Sequence, residues 1–278
     1  MAAPEIFKPS GVSIAALLAD VDGTLITKEK TLTKRTVEAV ERLREHGVVF
    51  CVTSGRPPRG LRMFVEPLEL TIAMAAFNGG LIVRPDLSVI DQRALPADAA
   101  PRVIETIQAH ELDVWVFGPV DWYVTNPNGT RVDRETSNIQ VPPVVVSDLE
   151  SVLPGAIKIV GVSTDHDAVA ECERVLQREL GTEVAAARSQ PYYLDVTHPD
   201  ANKGAVVEKL ARYLKVPTER IATIGDQAND VSMFKRSGLS IAMGNASPDV
   251  QRQAKFVTTS YGDEGFANAV ERFVLPRI

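Results

Sequence analysis

Short apolar runs alternate with amphipathic stretches through the first part of the chain. Ile14-Ala15-Ala16-Leu17-Leu18-Ala19 is continuously apolar and reads as a buried strand. Thr33 is placed to cap a helix whose Val37, Val40 and Leu43 share one face, and Gly47 is suited to end it. Residues 48–53 read as a second buried strand, followed by a helix near 61–65 and a strand near 72–76. Strand–helix alternation of this kind predicts a parallel sheet with helices on both faces.

From about residue 84 to 190 the pattern changes. A helix over 99–109 precedes short strands near 114–117 and 122–124, and Asn126-Pro127-Asn128-Gly129 makes a turn. A strand over 157–162, a helix over 168–180 and strands near 184–187 and 192–196 follow. Such a mixture predicts a separate α+β unit inserted into the first. The α/β rhythm returns after Pro191: a helix over 203–214 with Val206, Val207, Leu210 and Leu214 on one face, strands over 221–224 and 239–242, a turn at Gly244-Asn245, and a closing helix near 266–273. The expected fold class is α/β: a Rossmann-like parallel-sheet core over 11–83 and 191–278, interrupted by an inserted α+β domain over 84–190. Residues before Gly11 read as a loose tail.

Composition narrows the classes without choosing among folds. The chain has 278 residues, 45% of them hydrophobic, enough for a substantial core in one large or two smaller domains. Its net charge of −6 argues against general affinity for nucleic acid or anionic membranes. Cys51 and Cys172 are the only cysteines, which excludes a disulfide framework and zinc-type spacing. No segment is long and apolar enough to span a bilayer, and a cytoplasmic location is expected.

The candidate chemistry lies where two predicted strands end. Asp20-Val21-Asp22-Gly23-Thr24 leaves the first, and Gly225-Asp226-Gln227-Ala228-Asn229-Asp230 leaves the strand over 221–224. Carboxylates beside a core are costly without a partner. In an open parallel sheet the C-terminal strand ends are where ligands bind. Asp20, Asp22, Asp226 and Asp230 converging there would suit a hard cation and a phosphate. One of the first pair could attack phosphorus while the other moves the proton. Plainer readings stand beside these: an Asp-Gly turn at Asp22-Gly23, and a helix cap at Asn229 or Asp230. Ser54 and Gly55 follow the second strand, where a hydroxyl and free amides could hold phosphoryl oxygens, or merely make a turn. Lys203 opens a helix, either as a solvated lysine or as a partner for phosphoryl oxygens. No dinucleotide fingerprint or Walker loop occurs.

Taken in order, Asp20-Val21-Asp22-Gly23-Thr24, Ser54-Gly55-Arg56, Lys203-Gly204 and Gly225-Asp226-Gln227-Ala228-Asn229-Asp230 resemble the four motifs of the haloacid dehalogenase-like (HAD) hydrolase superfamily. An insertion between the second and third motifs resembles a C2-type cap, and Asn78-Gly79-Gly80 with Asn202-Lys203-Gly204 resembles the Cof-type, or IIB, phosphatases. One departure is Ser54 where many of these carry Thr; the hydroxyl is kept.

The resemblance implies Asp20 as nucleophile, Asp22 as general acid/base, and Ser54, Gly55 and Lys203 on the phosphoryl group. It implies Mg²⁺ held by Asp20, the backbone carbonyl of Asp22, and Asp226, with Asp230 holding the metal or its waters and Asn229 behind them. The implied activity is magnesium-dependent hydrolysis of small phosphorylated metabolites, sugar phosphates first, with neither nucleic acid nor membrane as partner. A sugar phosphomutase and a phospho-acceptor signalling protein are the rivals. Substrate choice is expected in the insertion, with Trp115, Trp122, Tyr123 and Arg188 as candidates.

Overall fold

The computed structural model describes residues 13–139 and 141–278. The tail expected before Gly11 lies outside the described residues. In chain order the elements are β1 (Ala16–Asp20), α1 (Lys34–Glu45), β2 (Val49–Thr53), β3 (Met74–Ala76), β4 (Leu81–Val83), β5 (Val89–Gln92), α2 (Ala99–Ala109), β6 (Asp113–Phe117), β7 (Trp122–Val124), α3 (Val132–Ile139) and β8 (Val144–Val145). Then come β9 (Lys158–Val162), α4 (His166–Leu180), β10 (Ala185–Gln190), β11 (Tyr193–Thr197), α5 (Lys203–Leu214), β12 (Ile221–Gly225), α6 (Val231–Phe234), β13 (Leu239–Ala242), α7 (Pro248–Gln251), β14 (Phe256–Val257) and α8 (Gly265–Ala269). They form two compact units, one up to Thr53 together with Lys203–Ile278, the other Ser54–Asn202.

The first unit is an α/β layer with parallel strands in the order β14-β13-β12-β1-β2. β1 and β12 are buried along their whole length, which is why they read as unbroken apolar runs. The chain runs from β1 to β2 on one side and returns as β12 on the other, so β1 and β12 flank a topological switch point. Their register sets Ala19 opposite Ile224, so Asp20 and Asp226 leave adjacent strands at the same end. α1 begins as expected, Thr33 Oγ1 accepting from the Thr36 N–H at 3.1 Å, and ends at Gly47 with φ +74°.

The second unit carries an antiparallel meander, β3-β4-β5, and a six-stranded mixed sheet in the order β10-β11-β9-β6-β7-β8. α2 and α4 share one apolar core with that sheet. β11 pairs antiparallel with both β10 and β9, so this sheet runs on to Thr197. The boundary expected at 190 therefore falls between two paired strands. Pro191 there marks a hairpin turn within one sheet.

The pattern missed α3, β4, β5, β8, α7 and β14; α6 starts directly after Asp230, where the plainer reading set a helix cap. α3 reads VDRETSNI and buries only Val132 and Ile139, too few apolar positions to show a helical period. The expected helix near 61–65 is a 3₁₀ segment over Pro58–Phe64, with Pro58 at its start.

Candidate active site

Three of the four expected carboxylates meet. Asp20, Asp226 and Asp230 are buried, and one oxygen from each lies within 4.8 Å of the others. Lys203, the first residue of α5, is 1% exposed and reaches between them. Its Nζ donates to Asp20 Oδ1 at 2.5 Å and to Asp230 Oδ1 at 2.6 Å. The start of α5 is fastened by the Gly204 N–H, which donates to Ser232 Oγ at 3.0 Å. Lys203 is thus a buried counter-ion, and the solvated reading falls.

Asp230 does two jobs at once. Its Oδ2 accepts from the backbone N–H groups of Asp226 and Gln227, both at 2.9 Å, which caps the turn after β12. Its Oδ1 faces Lys203. The cap and the charged site are one device, because the turn hydrogen bonds fix the carboxyl plane that Lys203 reads.

Asp226 is held from three sides. Thr24 Oγ1 donates to Oδ1 at 3.3 Å, and Gln227 Nε2 and Asn245 Nδ2 donate to Oδ2 at 2.7 and 3.1 Å. Asn245 Nδ2 also donates to the Gly23 carbonyl at 2.9 Å, tying the loop after β1 to the loop after β13. Gly23 has φ +84°, and a Cβ there would stand 2.4 Å from Asp226 Oδ2. Gly225 is equally confined, since a Cβ would lie 2.4 Å from Asp230 Cγ.

Electrostatics follow the crowding. Burial raises the Asp20 carboxyl well above the usual range; Lys203 pulls it down, while Asp230 and Asp226 push it further up. Burial raises Asp226 to about 6, with Asp230 adding to the rise and the Gln227 and Thr24 hydrogen bonds opposing it. For Lys203, burial alone would lower the pKa, but Asp20 and Asp230 outweigh it and hold the ammonium charged. An all-oxygen donor set whose members repel one another fits a divalent cation.

Asp22 stands apart. Its carboxylate is 36% exposed and accepts from Lys30 Nζ at 2.5 Å. Lys30 sits at φ +62° in a turn closed by the Thr27 N–H donating to the Thr31 carbonyl at 3.0 Å. The expectation that four carboxyl groups converge is therefore corrected: an exposed ion pair draws the Asp22 side chain to solvent. Asn229 is exposed, and its carbonyl accepts from Ser232 Oγ at 2.9 Å; Gln227 and Asn245 are the amides that brace the cluster. Gln227 lies inside the quoted motif and Asn245 follows Gly244 at the end of β13, so strand-end position was the signal for both.

Ser54 and Gly55 open the second unit, directly after the last residue of β2. The Ser54 N–H donates to the Ala75 carbonyl at 2.9 Å, its carbonyl accepts from the Asn78 N–H at 2.8 Å, and its Oγ accepts from the Arg56 N–H at 3.2 Å. Of the insertion candidates, Trp115 and Trp122 are buried in edge contact, centroids 5.3 Å apart. Tyr123 packs on the apolar core shared with α2 and α4, and Arg188 lies on the edge strand β10, its Nε donating to Glu173 Oε2 at 2.8 Å.

Residues 17–270 match the model of the haloacid dehalogenase-like hydrolases. The chain belongs to that family. It is 26% identical over 259 residues to a 5-amino-6-(5-phospho-D-ribitylamino)uracil phosphatase of Bacillus subtilis, covering 91% of this chain and 95% of that one. A haloacid dehalogenase-like hydrolase from Bacteroides thetaiotaomicron superposes with a TM-score of 0.84 at 25% identity, over 93% of this chain and 99% of the other. A subclass IIB sugar phosphatase shares the fold, with a TM-score of 0.79 at 23% identity over 93% and 98% of the two chains. This HAD hydrolase has an α/β core with an inserted domain, and a relative named as a phosphatase matches it along nearly its whole length. Among the described residues no helix is long and apolar enough to cross a membrane.

Proposed function

We propose that the enzyme hydrolyses small phosphorylated metabolites, sugar monophosphates first, through an aspartyl-phosphate on Asp20, with Mg²⁺ as its metal. The observation that carries this reading is the buried group of Asp20, Asp226 and Asp230 with Lys203 among them at one sheet end. Asp20, Asp226, Asp230 and the Asp22 carbonyl would hold the cation. When bound, it neutralises the repulsion between carboxylates and a phosphate dianion.

Lys203 opposes the rise in the Asp20 pKa and orients its carboxyl, as a nucleophile needs. An Asp20 oxygen bonds to phosphorus while the bond from phosphorus to the leaving-group oxygen breaks. Asp22 gives that oxygen its proton, then takes one from the water that attacks the aspartyl-phosphate and frees Asp20. For this the Asp22 carboxyl leaves Lys30. Ser54 and Gly55 would bind phosphoryl oxygens through the hydroxyl and backbone amide. Substrate choice falls to the insertion, which we place from 84 to the end of β11. A cytoplasmic location fits Cys51 and Cys172, both buried and neither in a disulfide.

The test is phosphate release from a panel of phosphorylated metabolites with Mg²⁺, with EDTA, and with Mg²⁺ restored. Activity that vanishes and returns supports the reading. Full activity in EDTA, or isomerised sugar phosphate without free phosphate, contradicts it.

A further inference from the structure

One amide joins three loops at the carboxylate cluster. Asn245 stands just past β13, and both ends of its side chain are engaged. The Tyr261 N–H donates to its Oδ1 at 3.1 Å. An N–H can only donate, so the amide nitrogen is turned the other way. That nitrogen donates to two acceptors at once, the Gly23 carbonyl at 2.9 Å and Asp226 Oδ2 at 3.1 Å. The acceptors belong to different strands: Gly23 follows β1 and Asp226 follows β12.

The main chain beneath Asn245 is fixed by its own contacts. Gln251 Nε2, at the end of α7, donates to the carbonyls on either side of Asn245, Gly244 at 3.1 Å and Ala246 at 3.0 Å. The Gly244 N–H donates to the Thr259 carbonyl at 3.0 Å, and the Ala246 N–H to the Met243 carbonyl at 3.1 Å. A Cβ on Gly244 would lie 2.7 Å from the Ser260 nitrogen, so this loop packs directly on the segment after β14. The other amide and hydroxyl donors to Asp226 hold it less firmly against the β1 loop. Gln227 is its neighbour in the chain and moves with it. Thr24 reaches it from the β1 loop at 3.3 Å, longer than an ordinary hydroxyl bond.

We propose that Asn245 is a positioning residue that makes the site select Mg²⁺ over the larger Ca²⁺, by fixing the spacing between the loop after β1 and the Asp226 carboxylate. The inference rests on the reading that Asp20, Asp226, Asp230 and the Asp22 carbonyl hold the cation. Asp22 directly precedes the Gly23 carbonyl that Asn245 grips, so one amide spaces two of those ligands, from separate strands. Mg²⁺ demands near-ideal octahedral geometry with short bonds, whereas Ca²⁺ accepts longer bonds and irregular shells. Loosening the spacing therefore costs Mg²⁺ more than Ca²⁺. Partners that orient metal ligands typically weigh about 10–100-fold in affinity.

The test is metal binding by the full chain without substrate, with folding checked by thermal melting. Mn²⁺ is the probe, read by electron paramagnetic resonance, and Mg²⁺ and Ca²⁺ are titrated against it. Asn245→Ala should weaken Mg²⁺ about tenfold or more and Ca²⁺ by less than about threefold. Gln251→Ala keeps the amide but frees the loop beneath it, and should shift the Mg²⁺ to Ca²⁺ affinity ratio the same way by about threefold. Asn268→Ala is the control. Its Nδ2 holds the segment after β14 through Thr259 Oγ1 at 2.8 Å and the Asp263 carbonyl at 2.9 Å, and it makes no bond to the cluster among the described residues. Its loss should leave the ratio unchanged. If the wild type binds no Mn²⁺, or binds it equally in Asp226→Asn, the metal reading fails and the proposal with it. If binding depends on Asp226 yet Asn245→Ala leaves the ratio unchanged, the metal reading stands and the proposal is overturned; Gln251→Ala decides in the same way should Asn245→Ala not fold. A shift as large in Asn268→Ala also overturns it, since loop packing alone would then account for the effect.

Discussion

The carboxylate cluster of the first unit and the polar face of the second sheet both bury charge, by opposite rules. In the cluster Asp226 and Asp230 have both oxygens engaged, and Lys203 bonds two carboxylates at once. On the sheet face Lys158 Nζ and Asp195 Oδ1 stand 3.6 Å apart, and among the described residues the Tyr193 hydroxyl and Trp115 Nε1 have no hydrogen-bond partner. The chemistry shared by every phosphate ester is assembled in advance. The polar face of the second sheet is less completely paired.

The largest effect separates the two carboxyl groups after β1. Asp22→Asn should lower kcat by about 10²–10⁴-fold, the usual weight of general acid–base catalysis, while phosphate and metal still bind. A smaller loss would mean that the Lys30 pair is the resting role of Asp22 and that another group moves the proton.

Next comes stability. Lys203→Met leaves Asp20 and Asp230 buried without their cation, and in EDTA this should cost about 3–5 kcal/mol in a denaturant melt. Lys158→Met should cost less than half as much, because its partner Asp195 is 17% exposed and the pair is long. Equal costs would break the comparison.

A further effect is with pH. Asp226 rises from 3.8 to about 6 on folding in the absence of metal. A raised carboxyl pKa favours the folded state at low pH: its contribution is fully present below the unfolded value and is lost as pH climbs through the folded one. Every tenfold gain in proton affinity on folding contributes about 1.4 kcal/mol. The metal-free Tm of the wild type, measured relative to Asp226→Asn, should therefore decline from about pH 4 to 7, and Mg²⁺ should recover it above about pH 6. A flat difference curve would contradict this reading of the cluster.

Legibility in the sequence follows the same divide. Asp20, Lys203, Asp226 and Asp230 could be read because each stands at the end of a buried apolar strand or the start of an amphipathic helix. Local spacing carries that information. The direction of the Asp22 side chain could not be read, because it depends on Lys30 reaching back across a turn. The sheet face was harder still. Lys158, Asp195 and Glu135 come from β9, β11 and α3, and strand pairing alone makes them neighbours. Tyr123 follows Trp122, and alternation sends adjacent strand residues to opposite faces; Arg188 lies on the edge strand β10. The strand pattern groups 192–196 with the inserted unit, while a boundary at 190 cuts it off; the pairing of β11 with β9 keeps it in the second sheet.

The central claim is that Asp20 carries the phosphoryl group. The direct measurement is an acid-quenched single turnover with substrate labelled in the phosphoryl group, followed by peptide mapping. The account predicts label on Asp20 in the wild type, more of it in Asp22→Asn, and none in Asp20→Asn. Label on any other side chain, or undiminished labelling of Asp20→Asn, would contradict it.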